Sequence, residues 1–164
     1  MKFICAKHRQ LLRNQPAKAH RRWQEWLDRG QVAMANKEWA MAIRFFGCCY
    51  EIAEMRLPAS GTDTTFVDRL SPEDRLMLSG HLLAECFGRS GKRSLERHYL
   101  LAVHHHLTRD LAGTGPVPRG RDKNIRISLL MLERYCRLHG EFSGFSACRE
   151  QGSELLAGNA AALH

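Results

Sequence analysis

Between Trp26 and Cys49 the chain carries large and small apolar residues at a spacing that suits one arrangement: Trp26, Gly30, Trp39, Ala42, Phe46 and Cys49. Trp26 and Gly30 stand one helical turn apart. The other four recur every three or four residues, which puts them on a single helical face. Bulky side chains of such a set act as knobs, and the small ones mark where two backbones approach closely. The segment therefore predicts two antiparallel helices joined by a short turn.

The helical period continues along the chain. A short helix is expected over Ile4–Arg13, with Ile4, His8, Leu11 and Leu12 on one side. Pro16 is tolerated in a first turn and opens a helix over Ala17–Asn36. Trp39, Ala42, Ile43, Phe46, Cys49, Tyr50 and Ala53 form the apolar face of a helix over Glu38–Arg56. Pro58–Thr65 reads as a polar loop. Ser71-Pro72-Glu73-Asp74 combines an N-cap serine, a first-position proline and first-turn acids, and predicts a helix to Phe87 or Gly88. Further helices are expected over Lys92–Leu111, Lys123–Leu138 (capped by Asp122) and Glu141–Leu156. The Gly/Pro-rich stretch Ala112–Arg121 separates them. At 164 residues the chain reads as one domain, 1–164. A basic N-terminal helix (1–15) precedes three helical hairpins (16–58, 71–111 and 122–157). The expected fold class is all-α, with six to seven helices.

The first hairpin resembles the tetratricopeptide repeat, a helix-turn-helix unit of about 34 residues with a Trp, Gly, aromatic, Ala, Phe, Ala pattern. Trp26, Gly30, Trp39, Ala42, Phe46 and the small Cys49 carry the likeness. Arg29 stands where the repeat prefers Leu, Ala33 where it prefers Tyr, and Lys37 replaces the usual turn glycine. The closing proline is displaced to Pro58. The other hairpins keep fragments, Gly80 and Leu83 in one, Gly140 and Phe142 in the other. The resemblance implies antiparallel hairpins in a right-handed superhelix and a role in binding other proteins. Some members of that family hold chaperone carboxylates with Lys and Asn on their first helices. Gln24, Leu27 and Gln31 stand near those positions but form no cationic clamp, so that ligand is not expected.

Composition narrows the class. Apolar residues make up 44% and charged residues 26%, as in a globular chain. No apolar run reaches the roughly 18 to 20 residues that a membrane span needs. The apolar stretch at Met1–Ala6 is too short for a signal peptide. Cys5, Cys48, Cys49, Cys86, Cys136 and Cys148 lie mostly in apolar helical patterns, where free cysteine acts as a small hydrophobe. Reduced thiols and a cytoplasmic location are expected. The formal charge is +8, and Lys2, Lys7, Arg9, Arg13, Lys18, Arg21 and Arg22 precede the first acid, Glu25. Such a segment attracts phosphates, an acidic protein or an anionic membrane surface when it is not simply a solvated face.

Candidate chemistry is sparse. His104-His105-His106 diverge by about 100° per residue and cannot share one metal. Cys5-Ala6-Lys7-His8 has a metal-like spacing but lacks a second ligand pair, so no metal or cofactor is expected. His81 and Glu85 read as a surface pair. Arg119-Gly120-Arg121 is a candidate phosphate contact. No residue stands in a recognisable nucleophile motif.

The chain accordingly reads as a non-enzymatic interaction module or adaptor, with a chaperone-like role expected by analogy to small repeat chaperones. Its partner would be a protein or peptide segment, with acidic character favoured by Arg22 and Arg29. The expected groove is lined by Arg22, Gln24, Leu27, Gln31 and Met34 from one helix and Met77, His81 and Leu82 from another. The alternative is a basic nucleic-acid-binding or regulatory helical protein, using residues 2 to 22 and the Arg119–Arg121 loop.

Overall fold

The computed structural model describes residues 1–56, 70–109 and 121–161, with no side-chain account beyond Ala157. The described residues form seven helices: α1 (Ala6–Asn14), α2 (Pro16–Ala35), α3 (Trp39–Arg56), α4 (Pro72–Arg89), α5 (Arg93–Thr108), α6 (Arg121–His139) and α7 (Phe145–Ala161). The all-α expectation is met. The expected loops at Pro58–Thr65 and Ala112–Gly120, and the expected end of the fifth helix at Leu111, lie outside the described residues. Where the sequence suggests one domain, residue contacts gather in two compact units, Met1–Glu96 and Arg97–His164, divided within α5.

In the first unit, α2 and α4 both pack against α3. Trp23 holds the three helices together. Its ring is 2% exposed, and its Nε1 donates to Ser79 Oγ at 2.9 Å. The Ser79 hydroxyl in turn donates to the Arg75 carbonyl at 2.7 Å, and the Arg75 guanidinium lies 5.6 Å from the Trp23 ring centroid. Cys49 Sγ donates to the Trp23 carbonyl at 3.4 Å. Gly30 is buried where α2 crosses α3: a Cβ there would stand 2.6 Å from the Phe46 ring. The predicted close crossing is therefore present, with Phe46 as the knob.

Two turns share one hydrogen-bond pattern. After α2, Lys37 N–H donates to the Met34 carbonyl and Glu38 N–H to Ala33. After α4, Gly91 N–H donates to Gly88 and Lys92 N–H to Phe87. Both are Schellman caps, which need a residue at positive φ. Gly91 has φ +76°, and Lys37, which stands where the repeat has glycine, has φ +60°. Ser71 and Asp74 form the reciprocal capping box at the start of α4.

In the second unit α6 packs against α7. His104 is fully buried, and its Nδ1 lies 2.9 Å from Ser128 Oγ. Ser128 spends its own proton on the Ile125 carbonyl, so His104 is the donor. Arg121 is part of α6 and donates to the carbonyls of Leu107, His106 and Arg109. It closes the C-terminus of α5, which corrects its reading as a phosphate contact, and it moves the start of α6 ahead of the proposed Asp122 cap. The last helix is corrected as well. It starts at Phe145 rather than Glu141, because Gly144 at φ +92° turns the chain just before it.

Candidate functional site

The site lies in the first unit, and a buried carboxylate builds it. Glu51 on α3 accepts the backbone N–H of Phe3 at 2.7 Å and of Ile4 at 3.1 Å. It also receives Arg9 Nη2 at 2.6 Å. These bonds fold the first residues down onto α3, where the Phe3 ring lies over Gly47. Ile4 and Leu12 enter the core with Ala19, Trp23, Cys49 and Ile52. Burying an apolar pair of that size contributes about 1.5–3 kcal/mol per side chain. The N-terminal segment is thus anchored at both ends, by the Glu51 bonds and by Leu12.

A cleft of about 510 Å³ opens beside this anchored segment. Phe3, Ile4, Leu11, Leu12 and Trp26 supply apolar walls, Lys18 and Arg22 supply positive charge, and Cys5, His8 and Cys48 complete the lining. Its volume falls in the range of small-ligand pockets, about 300–1,000 Å³. Arg22 pairs with Glu25 at 2.8 Å. Both groups are near half-exposed, and such a surface pair is worth no more than about 1 kcal/mol, so an incoming anion readily exchanges for it.

The mouth of the cleft holds a thiol and an imidazole. Cys5 is the N-cap residue of α1, and its Sγ lies 3.0 Å from His8 Nδ1. All six cysteines are free, and Cys5 is the exposed one. Burial pushes the others up: the Cys48 thiol to about 11, with the nearby Glu51 charge adding to the rise, and Cys86 to about 12. Cys49, Cys136 and Cys148 are raised by the same cause.

Of the residues expected to line a groove, Arg22 alone lines this cleft. Gln24 and Gln31 are exposed, and Met34, Met77 and Leu82 are half-buried. Leu27 packs on the core cluster together with Leu78. His81 differs most from expectation. Its Nε2 is buried without a hydrogen-bond partner, and burial lowers its pKa to about 4. Glu85 pairs instead with Arg89 at 3.3 Å. Sequence reasoning placed His8 and Leu11 on one helix side with Ile4 and Leu12 and paired Cys5 with His8, but it did not bring Phe3, Lys18 or Trp26 to them. The Cys5-x-x-His8 spacing and the acid-free basic run were the available signals.

In the second unit a smaller depression of about 280 Å³ is lined by Glu133, Cys136, Arg137, Glu141, Phe145 and Arg149. Its charges are of both signs and give no ligand preference. Among the described residues no group of three His, Cys, Asp or Glu is placed to hold a metal ion, and no helix is long and apolar enough to cross a membrane. No family model, no curated protein and no solved structure matches this chain.

Proposed function

We propose that this chain is a non-enzymatic helical interaction module, and that its partner segment lies in the cleft between the N-terminal segment and the α2–α3 hairpin. The carrying observation is the lining itself: apolar walls from Leu11, Leu12 and Trp26 beside Lys18 and Arg22. That combination suits a segment that offers an apolar anchor and an acidic neighbour. The matching turns at Lys37 and Gly91 support the likeness to helical-hairpin interaction proteins. Two of the basic residues that favour a nucleic-acid reading, Arg9 and Arg22, already face carboxylates.

Selection from a displayed library of random 15-residue peptides tests the reading. The expected winners carry apolar residues at i, i+3 or i+4 with adjacent Asp or Glu. Leu11→Glu should abolish their binding. Selection of no peptide family, or of one indifferent to Leu11→Glu, overturns the cleft as the interaction site. Tight binding of random duplex DNA, with a steep salt dependence, favours the nucleic-acid alternative instead.

A further inference from the structure

Three chemistries meet in the cleft, and a peptide anchor uses only two of them. The apolar walls and the Lys18/Arg22 pair have been accounted for. The Cys5 thiol and the His8 imidazole have not. Their 3.0 Å separation is within the reach of a nucleophile and its base. They sit at the mouth of a cavity, not on a featureless surface. His8 is exposed, so the pair is open to a reagent entering from solvent. A ligand that joins an apolar chain, anionic groups and an electrophilic carbon suits this lining. An acyl thioester of a phosphate-bearing carrier has an apolar chain for Phe3, Leu11, Leu12 and Trp26, and anionic groups for Lys18 and Arg22. Its thioester carbonyl would then stand at the Cys5–His8 mouth.

We propose that Cys5 is an S-acylation site, charged directly by such an acyl thioester with His8 as the base and with the acyl chain retained in the cleft. Cys5 Sγ attacks the thioester carbonyl carbon as His8 Nδ1 takes the thiol proton. The new carbon–sulfur bond forms and the carbon–sulfur bond to the carrier breaks. The carrier thiolate leaves and receives the proton from His8. No electrons are gained or lost, and no further reactant is needed. A retained chain covers the same walls as a partner segment, so acylation closes the cleft to it. This consequence rests on the interaction reading above, whereas the acylation step does not.

Incubation of the whole chain with octanoyl-coenzyme A, followed by intact-mass and peptide-mass measurement, tests the step. One octanoyl group is expected, on the peptide containing Cys5, and released by neutral hydroxylamine. His8→Ala should slow its formation by roughly a hundredfold. Lys18→Glu with Arg22→Glu should slow transfer from octanoyl-coenzyme A far more than from the uncharged octanoyl-N-acetylcysteamine. Both variants replace solvent-accessible side chains, and circular dichroism should show unchanged helix content. No adduct, an adduct spread over several thiols at similar rates, or a rate indifferent to His8→Ala overturns the proposal. The selected peptides separate the two readings. If the Cys5 adduct forms and peptide binding persists, the cleft is not the interaction site and the acylation stands. If peptide binds and no adduct forms, only the acylation fails.

Discussion

Arg9 and Glu51 meet at 2.6 Å, with the carboxylate 5% and the guanidinium 27% exposed. The pair joins α1 to α3 across 42 residues of chain, and the same carboxylate holds the Phe3 and Ile4 amides. The cleft lies beside the segment that this carboxylate and the buried Leu12 hold against the first unit.

Glu51→Ala should therefore release that segment while sparing the α2–α3–α4 core. Each buried polar group left without its partner costs about 1–3 kcal/mol. Hydrogen exchange is the direct measurement. The Phe3 and Ile4 amides should lose protection, while those of α3 keep it. Protection unchanged at Phe3 and Ile4 would show that Glu51 does not anchor them.

At the helix crossing, Gly30→Ala should lower the melting temperature. The added Cβ would sit 2.6 Å from the Phe46 ring. Overpacking of that kind costs about 1–3 kcal/mol, which outweighs the gain of up to about 1 kcal/mol from replacing glycine within a helix. Ala42, fully buried on α3, should be similarly intolerant of Ala42→Leu. A raised melting temperature for Gly30→Ala would mean that Phe46 has room to move aside.

The turn at Lys37 allows a change in the opposite direction. A side chain at φ +60° carries a backbone strain that glycine does not. Lys37→Gly should stabilise the protein by about 0.5–1 kcal/mol, after allowance for the greater freedom of glycine in the unfolded chain. Urea denaturation reads this as a higher midpoint at constant slope.

Stability should fall with acid earlier than carboxylates alone would cause. Burial lowers the pKa of both His81 and His104 from 6.5 to about 4. Above pH 6.5 both histidines are neutral whether folded or unfolded, and their contribution is at its full value. Between pH 6.5 and 4 the unfolded chain takes up protons that the folded one refuses, so stability declines. The slope is at most about 1.4 kcal/mol per pH unit for each histidine. Below pH 4 these two groups add no further loss. His81→Leu should flatten the decline measured by urea midpoints across this window; an unaltered profile would show that His81 is solvated.

Thiol reagents should distinguish Cys5 from the rest. In the native protein one thiol should react in a fast phase, and in denaturant all six should react. The half-buried Cys48 thiol, raised to about 11, and the buried Cys86 thiol, raised to about 12, carry little thiolate at neutral pH. Cys5→Ser should remove the fast phase. Persistence of that phase would assign it to a cysteine whose burial is transient.

The sequence by itself determined the helices and the first crossing, because both depend on neighbours close along the chain. Ser71, Pro72 and Asp74 start α4 by local hydrogen bonds and a preset φ. Gly30 and Phe46 meet because their spacing puts them on facing stripes. Local signals misplaced the start of α7, because Gly144 at φ +92° turns the chain after Phe142, whose ring meets Tyr135, Phe145 and the Arg97 guanidinium. The cleft was decided by tertiary structure. Glu51 looks like any helical acid in the sequence, and only folding brings Phe3, Ile4 and Arg9 to it. Cys5 and His8 are neighbours by sequence, but the cleft beside them forms only when Lys18, Arg22 and Trp26 of α2 and Cys48 of α3 come to face residues 3–12. Helical period is set by bonds between residues four apart, whereas a cavity is set by side chains that meet from distant parts of the chain.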